Sequence, residues 1–161
     1  MKLVNRNDKV LFYGVPDTST GDITYKRMQG FTDLAKSHNA QEYSRRYVDE
    51  KNERTDVTGY APSISFGFDQ MSDLDVHQDL VAIIDGEAIG TDAVRTLILV
   101  DMTSESSGSY TGYKRNFSII PSSEGDGTDA YTYSGEFRSN GETEVVAGTL
   151  SADGLVFTVT P

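Results

Sequence analysis

The heptapeptide Ser63-Ile64-Ser65-Phe66-Gly67-Phe68-Asp69 alternates without a break, with Ile64, Phe66 and Phe68 on one side and Ser63, Ser65, Gly67 and Asp69 on the other. Successive side chains of a strand point to opposite faces, so this period of two with one apolar face predicts a half-buried β-strand. The chain keeps the same grammar on both sides of it. Short runs rich in Val, Ile, Tyr, Phe and Thr are broken about every ten residues by Gly, Ser, Thr, Asp and Asn, which predicts an antiparallel sandwich or barrel. Upstream, residues 9–15, 23–28 and 31–36 read as strands. Residues 42–50 and 55–69 follow as polar-aromatic stretches joined by a solvated loop at 51–54.

Downstream the period changes once. Val76, Leu80, Ile83 and Ile84 recur at i, i+4, i+7 and i+8, the stripe of one amphipathic helix, and Asp85-Gly86 closes it. Ser72 and Asp75 have the spacing of a capping box, and Asp73 and Asp75 suit the positive end of the helix dipole. The run Leu97-Ile98-Leu99-Val100 is apolar on both faces, which predicts a central strand with the helix on one side and an opposing sheet on the other. Residues 113–120, 130–137, 143–150 and 155–160 complete the strands. Asn140-Gly141 and Asp153-Gly154 carry the positive-φ residues of hairpin turns. Residues 122–129 read as a mobile, acidic, glycine-rich loop. The fold class predicted is mainly β, an antiparallel β-sandwich or barrel with one flanking α-helix, in a single domain over 1–161 whose residues 1–8 form an N-terminal arm.

Composition narrows the function. The 161 residues hold no Cys and no Trp, so disulfides, thiolate metal sites and cysteine nucleophiles are out. Asp and Glu number 25 against 14 Lys and Arg, a net charge of −11, which argues against binding nucleic acid or an anionic membrane through a broad basic surface. No apolar run has the roughly 20 residues of a membrane span, and residues 1–8 lack the apolar core of a signal peptide, so the expectation is a chain made in the cytoplasm.

Enzymatic constellations are thin. His77 reads as a boundary histidine beside the helix stripe and His38 as part of a polar turn, with no second and third ligand spaced for zinc. No glycine-flanked serine elbow is present. Glu124-Gly125-Asp126-Gly127-Thr128-Asp129 departs from the order of an EF-hand loop and reads as an acidic turn. The reading is of a non-enzyme without cofactor or metal.

Two features stand apart. In residues 42–50 an extended chain would put Tyr43, Arg45 and Tyr47 on one face and Ser44, Arg46 and Val48 on the other, mixing charge with bulk on both. Such a strand is either a hairpin in solvent or a surface completed by another copy, Tyr and Arg being enriched at protein interfaces. The polar face of Ser63, Ser65, Gly67 and Asp69 either meets bulk solvent or lines a hydrated channel.

The stretches Glu42-Tyr43-Ser44-Arg45-Arg46-Tyr47-Val48-Asp49-Glu50-Lys51 and Glu53-Arg54-Thr55-Asp56-Val57-Thr58-Gly59-Tyr60-Ala61-Pro62, then the alternating strand, the helix and the apolar strand in that order, resemble the major tail tube proteins of tailed phages. The nearest resemblance is to those of long-tailed phages of Gram-positive hosts. This resemblance implies a structural virion protein, assembled in the host cytoplasm, whose hexameric rings stack into a hollow tail tube through which DNA passes. It implies tape-measure and tail-terminator proteins as partners besides the chain itself. Tyr43, Arg45, Tyr47 and Arg54 become oligomer-interface residues, and Ser63, Ser65 and Asp69 face the lumen. The competing class is a β-sandwich binding module, such as a capsid decoration or adhesion domain.

Overall fold

A computed structural model describes all residues, Met1–Pro161. Eleven strands and one helix follow in chain order: β1 (Lys9–Pro16), β2 (Ile23–Arg27), β3 (Phe31–Ser37), β4 (Ala40–Arg45), β5 (Arg54–Tyr60), β6 (Ser63–Asp69), α1 (Asp75–Asp85), β7 (Val94–Ser106), β8 (Ser109–Glu124), β9 (Thr132–Ser139), β10 (Glu144–Leu150) and β11 (Val156–Val159). Every pairing is antiparallel. The order β10-β11-β2-β1-β7-β8 returns on itself because β8 also pairs with β10, and this closes a six-stranded barrel. The same edge of β8 then continues along β9, which carries β6 and finally β3, so a four-stranded arm (β8-β9-β6-β3) grows from the barrel wall. The mainly β class with one flanking helix is thus the observed one.

Two cores follow from strands that are apolar on both faces. Val10, Phe12, Ile98, Val100, Val146 and Phe157 fill the barrel. Leu11, Tyr13 and Leu97, their alternates on β1 and β7, face outward into a larger core shared with Ile64, Phe66 and Phe68 of the arm and with the helix stripe. The run at 97–100 is therefore a double-faced strand, with α1 over one side and the barrel interior on the other. Full burial of each helix aliphatic contributes roughly 2 kcal/mol. Barrel closure between β8 and β10 needs two glycines. A methyl at Gly112 would lie 2.7 Å from the Ile98 side chain, and one at Gly148 2.4 Å from the Thr158 carbonyl.

Several local expectations are corrected. The helix starts at Asp75 with Leu74 as its cap and no side-chain capping bond, because the Asp75 carboxylate is held by Lys26 rather than turned back on its own backbone. Asn140-Gly141 does not close a hairpin: β9 and β10 do not pair with each other but lie end to end along β8, and the turn steps the chain from one to the other. Strand β8 runs on to Glu124, so the first three residues of the expected loop at 122–129 are strand, held by Ser123–Ser134 and Glu124–Tyr133 pairing. Strand β4 stops at Arg45, and residues 46–53 form the turn of a hairpin.

His77 is fully buried, not at a boundary. Its ring lies against Phe31 and Phe68. The Met71 N–H donates to Nδ1 at 3.0 Å and Nε2 donates to the Gln29 carbonyl at 2.7 Å, so one neutral tautomer satisfies both neighbours. Burial pulls its pKa below the usual histidine value. No helix of the fold is long and apolar enough to cross a membrane.

Candidate assembly surfaces

The four-stranded arm has one apolar face against the core and one polar face away from it. Directly paired residues of an antiparallel sheet share a face. Register therefore places Ser63 beside Arg138, Ser65 beside Glu136 and Ala35, Gly67 beside Ser134 and Asp33, and Asp69 beside Thr132. Ser63, Ser65 and Asp69 thus sit on one continuous polar surface. The Ser65 hydroxyl donates to Asp33 at 2.8 Å, and the Asn39 side-chain amide donates to Ser63 Oγ at 3.2 Å. Glu136 holds Arg138 at 3.0 Å. Asp33, Asp69 and Glu136 bring three carboxylates to this surface against the single guanidinium of Arg138, so its field is negative.

The arm is open along both sides. Strand β3 ends the sheet with no strand beyond it, and only the Leu34 carbonyl is met there, by the Arg6 guanidinium at 3.1 Å. At the other side, β7 covers β8 only as far as the Val94–Ser118 pair, which leaves residues 119–124 uncovered on that edge. The two open edges are similar in length. Three antiparallel steps separate β8 from β3, so the two strands run opposite ways, and a second copy could add its β8 to β3 without breaking the alternation. Unpaired backbone edges of this kind are templates for pairing with another chain. Pro121 supplies no N–H, so one position of the β8 edge accepts only.

The hairpin β4–β5 pairs with no other strand. An isolated two-stranded hairpin is at best marginally stable in water. Its side chains hold one another. The Arg45 guanidinium lies 5.1 Å above the Tyr43 ring and 5.6 Å from the Tyr47 ring, and it pairs with Asp56. Arg54 lies 5.8 Å from the Tyr47 ring and pairs with Glu50. Tyr43, Arg45, Tyr47 and Arg54 therefore form one cluster, though Tyr47 joins it from the turn and not from the strand. Elsewhere on the same hairpin Val48, Val57 and Tyr60 are exposed, Val48 completely. No sequence signal marked the two open edges, because an edge is defined by pairings that are absent.

No protein-family model matches the chain, and no curated protein matches its sequence. Solved structures do match in shape. A chain in the tail of an empty gene transfer agent particle, refined with helical C6 symmetry, superposes with a TM-score of 0.61 at 14% identity, over 88% of this chain and 98% of that one. A chain in the virion of a native gene transfer agent particle gives 0.60 at 14% identity, over 89% and 98%. At this identity the likeness is one of fold.

Proposed function

We propose that this chain is the repeating subunit of a phage-type tail tube. The observation that carries the reading is the pair of open, antiparallel-matched edges on a sheet whose outward face is polar and acidic. Copies that add β8 to β3 head to tail form a closed ring, and closure removes every exposed edge of the arm. Six copies, the symmetry of the similar tail, would supply twenty-four strands. At about 4.8 Å between strands and a tilt of about 40°, these close on a backbone circle roughly 48 Å across, room enough for duplex DNA after side chains are added.

The face bearing Ser63, Ser65 and Asp69 then lines the bore. Phosphates gain affinity by releasing counterions to Lys and Arg, so a carboxylate-rich wall offers DNA nothing to stick to. The hairpin β4–β5, with Tyr43, Arg45, Tyr47 and Arg54, is the contact to a neighbouring copy or ring. Tape-measure and terminator proteins are the further partners, within a virion of the long-tailed type that residues 42–62 resemble.

Negative-stain electron microscopy of concentrated protein tests the reading. Hollow filaments or rings are expected. A species that stays monomeric at every concentration and salt, by light scattering, would overturn it.

A further inference from the structure

The inner face of the arm and the outer wall of the barrel enclose the larger core, and α1 fills only part of the gap between them. Near Ile64, where no helix residue reaches, a cavity of about 400 Å³ remains. Its floor is Leu34 and Ile64 from the arm and Leu11, Leu97, Leu99 and Phe117 from the barrel. Its rim is cationic: Arg6, Lys9, Lys36 and Arg115 line it, and no carboxylate does. None of the four belongs to an ion pair. The Arg115 Nε is buried without a hydrogen-bond partner. Burial, and then the neighbouring charges of Arg115 and Lys9, depress the pKa of Lys36. Lys9 has Asp101 opposite it across β1 and β7, but Arg6, Lys36 and Arg115 have no such counterpart in the lining, and in a chain of net charge −11 they suit an acidic occupant, while the apolar floor suits one with an aliphatic tip.

The ring reading, on which this inference rests, supplies such an occupant. When the β8 edge of a neighbour lies antiparallel beside β3, its residue 119 end falls toward Ser37. There the neighbour's edge stops, because β7 begins at Val94, opposite Ser118. The turn that leads into β7, residues 86–93, therefore abuts the end of β3 that carries Leu34 and Lys36. It reads Gly86-Glu87-Ala88-Ile89-Gly90-Thr91-Asp92-Ala93. Ile89 is 82% exposed, an unusual position for an isoleucine. Glu87 and Asp92 beside it are exposed and join no ion pair. Glu87 has a φ of 50°, a left-handed conformation that a residue with a side chain adopts only under constraint. We infer that Ile89 of one copy seats in this cavity of the next, with Glu87 and Asp92 pairing to its cationic rim. The turn would act as a plug that locks each lateral contact after the strands have joined.

Two measurements test the plug. The chain has no cysteine, so an Ile89→Cys chain mixed with a Lys36→Cys chain under mild oxidation should give a disulfide-linked dimer that neither chain gives alone. Both positions are exposed, so folding is not at stake. Charge reversal by Glu87→Lys with Asp92→Lys, or by Lys36→Glu with Arg115→Glu, should raise the concentration needed for assembly about tenfold, and the four changes in one chain should bring it back. If wild-type protein forms no ring or filament, the ring reading falls and takes the plug with it. If wild-type filaments form but the mixed chains do not cross-link, or if the four changes together fail to restore assembly, the plug falls alone and ring closure through β3 and β8 stands.

Discussion

Tyr13 donates its phenolic hydrogen to a carboxylate oxygen of Asp79 at 2.5 Å, and Arg95 holds the same carboxylate with two further bonds at 2.8 and 3.1 Å. The three residues come from β1, α1 and the start of β7, so a single carboxylate pins the helix to the barrel wall. Arg95 and Asp79 are largely shielded, with side-chain exposures of 18% and 17%. Burial, reinforced by the carboxylate, raises the Tyr13 pKa well above its usual value and keeps the phenol a donor. Removing one partner leaves the other charge desolvated. Asp79→Asn should therefore cost about 3 kcal/mol in urea unfolding, and Tyr13→Phe about 1 kcal/mol. Equal midpoints for Asp79→Asn and wild type would mean the pin contributes nothing.

His77 makes stability depend on pH. Its folded pKa lies below the unfolded one, so the unfolded chain takes up a proton first as pH falls. The contribution is complete above the unfolded value of about 6.5 and is lost as pH drops through the lower folded value. Protonating Nδ1 would also set two donors, imidazolium and Met71 N–H, against each other. Melting temperatures of wild type and His77→Gln should converge between pH 7 and pH 5, roughly the window in which histidine titrates. Parallel curves would exclude this histidine as the cause.

The β8 edge can be tested without touching the fold. Pairing of β8 with β9 passes from Pro121–Gly135 to Ser123–Ser134 and skips Ser122. Ser122→Pro removes a backbone donor at the one position of this stretch that has no partner in the register. Unfolding should shift by less than about 1 kcal/mol, while ring or filament yield collapses. Unchanged filaments would argue that copies do not join along this edge.

The acidic face predicts how filaments treat DNA. Asp69→Lys places a cation beside Thr132 on the polar surface, where no core contact depends on it. Filaments of this variant should form normally but carry short duplex DNA down in sedimentation at low salt, and release it as salt rises. Wild-type filaments should carry none. If neither binds, the surface does not face a DNA-accessible space.

Strand and helix periods were legible because they are local. The alternation at 63–69, the stripe from Val76 to Ile84 and the double-faced run at 97–100 each appear in the fold as read. What escaped were choices among partners. Asn140-Gly141 announces a turn but does not say which strand the chain meets after it, and both flanking strands found β8. Nor did Ser72 and Asp75 announce that Lys26, far away in sequence, would claim the carboxylate. His77 sits at a position that the stripe leaves ambiguous, and only the arrival of Phe31, Phe68 and the Gln29 carbonyl buries it. The cluster at Tyr43, Arg45, Tyr47 and Arg54 was legible as a group of residues, but the turn that carries Tyr47 back onto Arg45 was not.

Strand β8 belongs to two bodies at once: its first half closes the barrel and its second half opens the arm. No hinge lies between them, so a sideways push on the arm bends a hydrogen-bonded plank, and the barrel behind it acts as a buttress. A cylinder built from such pieces would resist crushing through the stiffness of each stave. It would flex along its length only where one layer of subunits rests on another.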